Sequence, residues 1–66
     1  MNMPAREYWE ATQDPDQTWA VWRAARVQSS GFSDLDEAIS YVMGRAEHPV
    51  DLTIEYSDHT TEVRSL

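Results

Sequence analysis

Between residues 34 and 47 the apolar side chains Leu35, Ala38, Ile39, Val42, Met43 and Ala46 recur at the i, i+3, i+4, i+7, i+8, i+11 spacing of one helical face. Ser33 is a good N-cap for this helix, and so is Asp34, which forms a capping box with Glu37 three residues on. Asp34, Asp36 and Glu37 also place negative charge at the positive end of the helix dipole. Pro49 ends the element, because it disfavours the α conformation at His48. The period then changes from 3.6 to 2. Val50, Leu52, Ile54 and Tyr56 alternate with Asp51, Thr53 and Glu55, as in a strand with one buried face. Ser57-Asp58-His59 is a turn, and Thr60 to Arg64 return as a second strand with Val63 inward, completing a hairpin.

The first half is patterned less cleanly. A strand is expected over residues 6–12, and Asp14-Pro15-Asp16 marks a turn. The segment Thr18 to Gln28 fits a strand over 18–27 through Trp19, Val21, Trp22 and Val27. The alternative is a helix with Thr18 as N-cap and Gly31 as C-cap. Positions 19, 22 and 26 fail as an apolar face at Arg26, and a helix there would leave a two-stranded sheet, which is marginal alone. Strands are the preferred reading. The expected fold is a single α+β domain over residues 1–66, β-β-α-β-β: an antiparallel sheet of three to four strands with one amphipathic helix packed on one face.

Length sharpens this picture. Sixty-six residues are close to the lower limit for independent folding. With no cysteine there is no disulfide to help, and the three tryptophans, three tyrosines and Phe32 must supply the core. That aromatic content is too high for a disordered acidic segment. No apolar run approaches the roughly 20 residues of a membrane span. The first ten residues have neither a basic nor an apolar region of a secretory signal, so a cytoplasmic location is expected.

Charge is unevenly spread. Residues 29–66 hold eight carboxylates against two arginines, a formal −6 of the total −7. Such a surface repels nucleic acid and lipid headgroups and attracts basic proteins. Direct nucleic-acid binding is disfavoured, because five scattered arginines among twelve acids cannot release counterions as a basic cluster does. Arg23 and Arg26 near the tryptophans are better placed to neutralise adjacent carboxylates than to stack bases. Catalysis is unsupported. Ser57-Asp58-His59 are neighbours in a turn and cannot converge as a triad. His48 with Asp51 is too small a ligand set for a metal, and Gly31 and Gly44 are too isolated for a phosphate loop. The chain is expected to be a non-enzyme without cofactor or metal.

The carboxylates are the remaining candidates. Asp51 and Glu55 point away from the apolar face of their strand, with Glu62 on or near the same outer face, and alternate strand residues stand roughly 6.5–7 Å apart. Asp34, Asp36 and Glu37 mark the outer side of the helix, and Asp58 the turn. Concentrating like charge on half of a small domain costs stability through self-repulsion, so a function for it is expected.

Two resemblances bear on that function. The pattern Trp19-x-Val21, Phe32, Glu37-Ala38-Ile39, Leu52-x-Ile54 and Asp58 resembles small bacterial domains in which strands flank a single helix. It covers residues 19–58 and implies fold only. The whole chain, short, acidic, cysteine-free and single-domain, resembles phage-encoded anti-CRISPR proteins, several of which mimic DNA. That resemblance implies a monomeric inhibitor in the cytoplasm of an infected bacterial host. Its partner would be a basic nucleic-acid-binding subunit of a CRISPR effector, a type I Cascade above others. Asp34, Asp36, Glu37, Asp51, Glu55, Asp58 and Glu62 would stand in for phosphates on the DNA- or PAM-binding surface. The alternative is a small antitoxin-like or accessory module that binds one protein through a strand edge or aromatics such as Trp9 or Trp22.

Overall fold

The computed structural model describes residues 5–66. Five strands and one helix follow in the order β1 (Glu7–Gln13), β2 (Trp19–Arg23), β3 (Arg26–Phe32), α1 (Leu35–Arg45), β4 (Val50–Glu55) and β5 (Thr61–Ser65). They form one mixed sheet in the order β3-β2-β1-β4-β5. The α+β class with a single helix is as expected, but the strand count and the direction of one pair are not. The central strands β1 and β4 run parallel, with Trp9 opposite Leu52 and Ala11 opposite Ile54. Every other neighbouring pair is antiparallel.

The segment expected as one strand over 18–27 is a hairpin. It reverses at Ala24-Ala25, whose φ angles are +53° and +61°, and the closing pair is Arg23 opposite Arg26. Two central residues at positive φ are the geometry of a type I′ turn, whose twist matches that of the strands it joins. No helix forms there. β3 then slips register twice against β2, with Gln28 and Gly31 as the unpaired extra residues. Gly31 sits at φ +83°, which a glycine tolerates and a side chain would resist.

The helix is close to its expected bounds. Asp34 is the N-cap and accepts from the Glu37 backbone N–H at 2.8 Å. The Glu37 carboxylate reaches back past the cap residue and accepts from the Ser33 N–H and hydroxyl, one position before the N–H that a capping box would use. One face of α1 buries Ala38 and Val42 against Trp9, Ala11, Trp19, Val21, Val50, Leu52 and Ile54. Leu35, Ile39 and Ala46 pack at the margin. Met43, expected on this face, is 54% exposed. Each fully buried Leu or Ile contributes about 1.5–3 kcal/mol, so Leu52 and Ile54 at the centre of the sheet matter most. Trp19 and Tyr56 meet edge-to-face at 5.6 Å, and Phe32 and Tyr41 meet at 5.3 Å, closing the rim of the core.

Two hairpin loops stand side by side at the C-terminal ends of the parallel strands, and they are built alike. In the first, Asp16 accepts from the Thr18 N–H and hydroxyl, with Gln17 at φ +73°. In the second, Asp58 accepts from the Thr60 N–H and hydroxyl, with His59 at φ +69°. The second loop spans residues 56–60, closed by the Tyr56 N–H to Thr60 carbonyl bond. That length fixes Thr53 opposite Val63 and Ile54 opposite Glu62. Val63, expected inward, therefore points away from the helix and is 67% exposed. Glu62, expected on the outer face, lies on the helix side.

Candidate interaction surface

All of the helix lies on one side of the sheet, and among the described residues no element covers the other. Register defines what that open face shows. Val27, Trp22, Glu10, Thr53 and Val63 form one row across all five strands. Tyr8, Asp51 and Ser65 form the next row, and Ser30, Ala20, Thr12, Glu55 and Thr61 another. Tyr8 is 70% exposed and Val27 53%, so with Val63 three of the four most exposed large apolar side chains share this face. Trp22 lies half-buried among them, its indole N–H donating to the Thr12 hydroxyl at 2.9 Å. That bond ties the edge of the indole to β1 and leaves the side chain partly open to solvent.

Three carboxylates stand on the same face. Asp51 is held in a forked pair by Arg6, with Nε and Nη2 at 2.9 and 2.6 Å, and it accepts from the Ser65 hydroxyl as well. The guanidinium holds the Asp51 carboxyl below its ordinary range. Glu10 and Glu55 make no side-chain hydrogen bond or ion pair among the described residues. Their charges are open to a partner.

The other expected acidic positions do not join this surface. Asp34 and Glu37 are spent on the helix cap, and Asp58 on its turn, where the bonds from Thr60 depress its pKa. Glu62 accepts from the Tyr56 hydroxyl and from Arg64 at 3.1 Å on the helix side, and the tyrosine contributes most to lowering its pKa. Asp36 is exposed and unpaired among the described residues, at the start of the helix. The seven candidates thus divide between opposite faces and a loop. They do not form one row of phosphate-like charges.

One residue that sequence reasoning passed over, Glu7, shapes the region below, and Arg23, expected to neutralise a carboxylate, is its partner. Glu7 is only 6% exposed. Its carboxylate accepts from the Trp9 indole N–H at 3.0 Å and from the backbone N–H groups of Glu47 and His48 at 2.9 and 3.1 Å. Arg23 Nη1 stands 3.3 Å away and its guanidinium lies 5.0 Å over the Trp9 ring. The alternation with Trp9 and Ala11 was the available signal, since it puts a charged residue at an inward strand position. Trp9 itself is core, and so contributes nothing to an exposed aromatic patch. Beside this cluster, where β1 runs on past the β2–β3 turn, an open notch of about 430 Å³ is lined by Arg6, Tyr8, Glu10, Arg23, Ala24 and Thr53 among others.

His48 and His59 are both exposed and lie apart in different loops. Among the described residues no three His, Cys, Asp or Glu side chains gather as a metal site. No known protein family, curated protein or solved structure matches the chain.

Proposed function

We propose that this chain is a small binding protein whose open sheet face docks on a basic surface of another protein and blocks it. The observation that carries this reading is a five-stranded sheet uncovered on one side, with Tyr8, Val27 and Val63 exposed and Trp22 half-buried around the unpaired carboxylates of Glu10 and Glu55. Aromatic and aliphatic centres with a charged margin are the composition of protein interfaces, and a net charge of −7 selects a cationic partner and speeds encounter with it. Inhibition of a CRISPR effector by DNA mimicry is the narrower form of the proposal. A small antitoxin-like or accessory module that binds one protein mainly through apolar contact is the other form. The location belongs to the proposal too, as the cytoplasm of an infected bacterial host. No helix among the described residues is long and apolar enough to cross a membrane.

The test is capture of basic proteins from a CRISPR-bearing bacterial host, compared across surface variants. Tyr8→Ala and the pair Glu10→Lys/Glu55→Lys should each reduce capture at least tenfold, about 1.4 kcal/mol. Asp36→Lys, on the helix side, should leave it unchanged. Competition by duplex DNA for the captured protein supports the mimicry form, and insensitivity to DNA supports the apolar form. Equal capture by wild type and both face variants overturns the docking surface.

A further inference from the structure

The sheet ends in two edge strands of opposite character. β3 is interrupted by its two register shifts, which break its outer row of backbone groups and protect that edge. β5 pairs with β4 without any shift from Thr61 to Ser65, and it contains no proline. Leu66 and Val50 exchange both of their backbone bonds, at 2.8 and 3.5 Å. Alternation along the ladder turns residues 62 and 64 toward β4 as well. The N–H and C=O groups of Thr61, Val63 and Ser65 are left facing outward.

We propose that β5 pairs antiparallel with β5 of a second copy of this chain, about a two-fold axis through Val63. The segment Thr61-Glu62-Val63-Arg64-Ser65 is self-complementary about its centre. Val63 falls opposite Val63, Thr61 opposite Ser65, and Glu62 opposite Arg64 of the second copy. The outward-facing residues 61, 63 and 65 then form the hydrogen-bonded pairs, about six backbone bonds in all. Glu62 and Arg64 occupy the intervening non-hydrogen-bonded pairs, where side chains come closest and opposite charges attract. Within one chain these two already meet at 3.1 Å on the helix side, so pairing builds a cluster of four charges alternating in sign. On the open face each exposed Val63 covers the other. The contact is isologous and closes at two copies, giving one continuous sheet of ten strands from two of five. It uses the edge of the sheet, and of the open face it takes up only Val63.

Sedimentation of the full chain at rising concentration, up to about 1 mM, should show a monomer–dimer equilibrium. Val63→Pro removes an N–H that β4 does not use, so the strand should persist while the dimer is lost. Glu62→Arg and Arg64→Glu each place like charges opposite one another and should be monomeric alone. Mixed in equal amounts they restore both opposite-charge pairs and should form a heterodimer, a result that no folding defect can produce. A wild-type chain that stays monomeric over the whole range overturns the proposal. So does a dimer that survives in Val63→Pro, or a mixture that stays monomeric.

Discussion

Glu7 shows how a single carboxylate can hold a small domain together. It ties the start of β1 to the connection between α1 and β4 through the Glu47 and His48 N–H groups, and it fixes the Trp9 indole in the core. Burial alone would raise its pKa, but the bonds outweigh burial. The Trp9 indole is the largest cause, then the Glu47 N–H, and the folded value lies below that of an ordinary glutamate. The unfolded chain titrates in the ordinary range. The stabilisation is therefore complete above that range and is lost as pH falls through the depressed folded value. Asp16, Asp51, Asp58 and Glu62 shift the same way, so the melting temperature should decline once pH drops below about 4. Glu7→Gln should lower the melting temperature at pH 7 by at least about 5 °C and make the decline in acid shallower. Thermal melts followed by circular dichroism decide it, and unchanged stability at pH 7 would show the clamp to be idle. At this scale much was legible: the Asp34 cap and the turn role of Asp58 follow from residue type alone, while the Glu37 side chain caps Ser33 and not the Asp34 N–H. The partners of Glu7 were not, because its bonds cross about 40 positions of sequence.

At the scale of elements, legibility followed how strongly each local signal was written. α1 and β4 carry long, regular apolar periods and formed where those periods are. The β2–β3 hairpin turns at Ala24-Ala25, with none of the glycine or asparagine that mark such a turn, so two strands looked like one. The error in β5 has a different origin. The turn Ser57-Asp58-His59 sets Tyr56 opposite Thr60 and therefore Ile54 opposite Glu62, so its length already turns Glu62 inward. An inward Val63 rests on its apolar side chain alone, against that register. The parallel pairing of β1 with β4 had no local signal at all. Its cause is tertiary, since Trp9 and Ala11 bury best beside Leu52 and Ile54. The unmarked turn is also an opportunity. Left-handed backbone costs an L-residue about 1–2 kcal/mol, and Ala24 and Ala25 both adopt it. Ala24→Asn/Ala25→Gly should therefore raise the melting temperature by about 4–8 °C or more. A fall would mean that the turn is not of this type.

For the whole molecule, one asymmetry governs both stability and binding. The chain carries a net −7, while the three ion pairs among the described residues, Arg6–Asp51, Arg23–Glu7 and Arg64–Glu62, span only 2.6–3.3 Å. Salt acts differently on these two kinds of interaction. Repulsion among separated surface carboxylates is felt across distances near the Debye length, which shrinks from about 10 Å at 0.1 M salt to about 3 Å at 1 M. Pairs already in contact are screened less, and exposed ones contribute only about 0–1 kcal/mol each. Relief of repulsion should dominate, so the melting temperature should rise between 0.1 and 1 M sodium chloride. Docking on a basic surface depends on the opposite sign of the same field and should weaken over that range, through slower association first. Thermal melts and partner affinity measured in the same buffers thus give opposite slopes if the acidic surface is there to be bound. A melting temperature that falls with salt would show that the ion pairs, and not the repulsion, set the balance. An affinity indifferent to salt would leave Tyr8, Trp22 and Val63 as the whole of what a partner recognises.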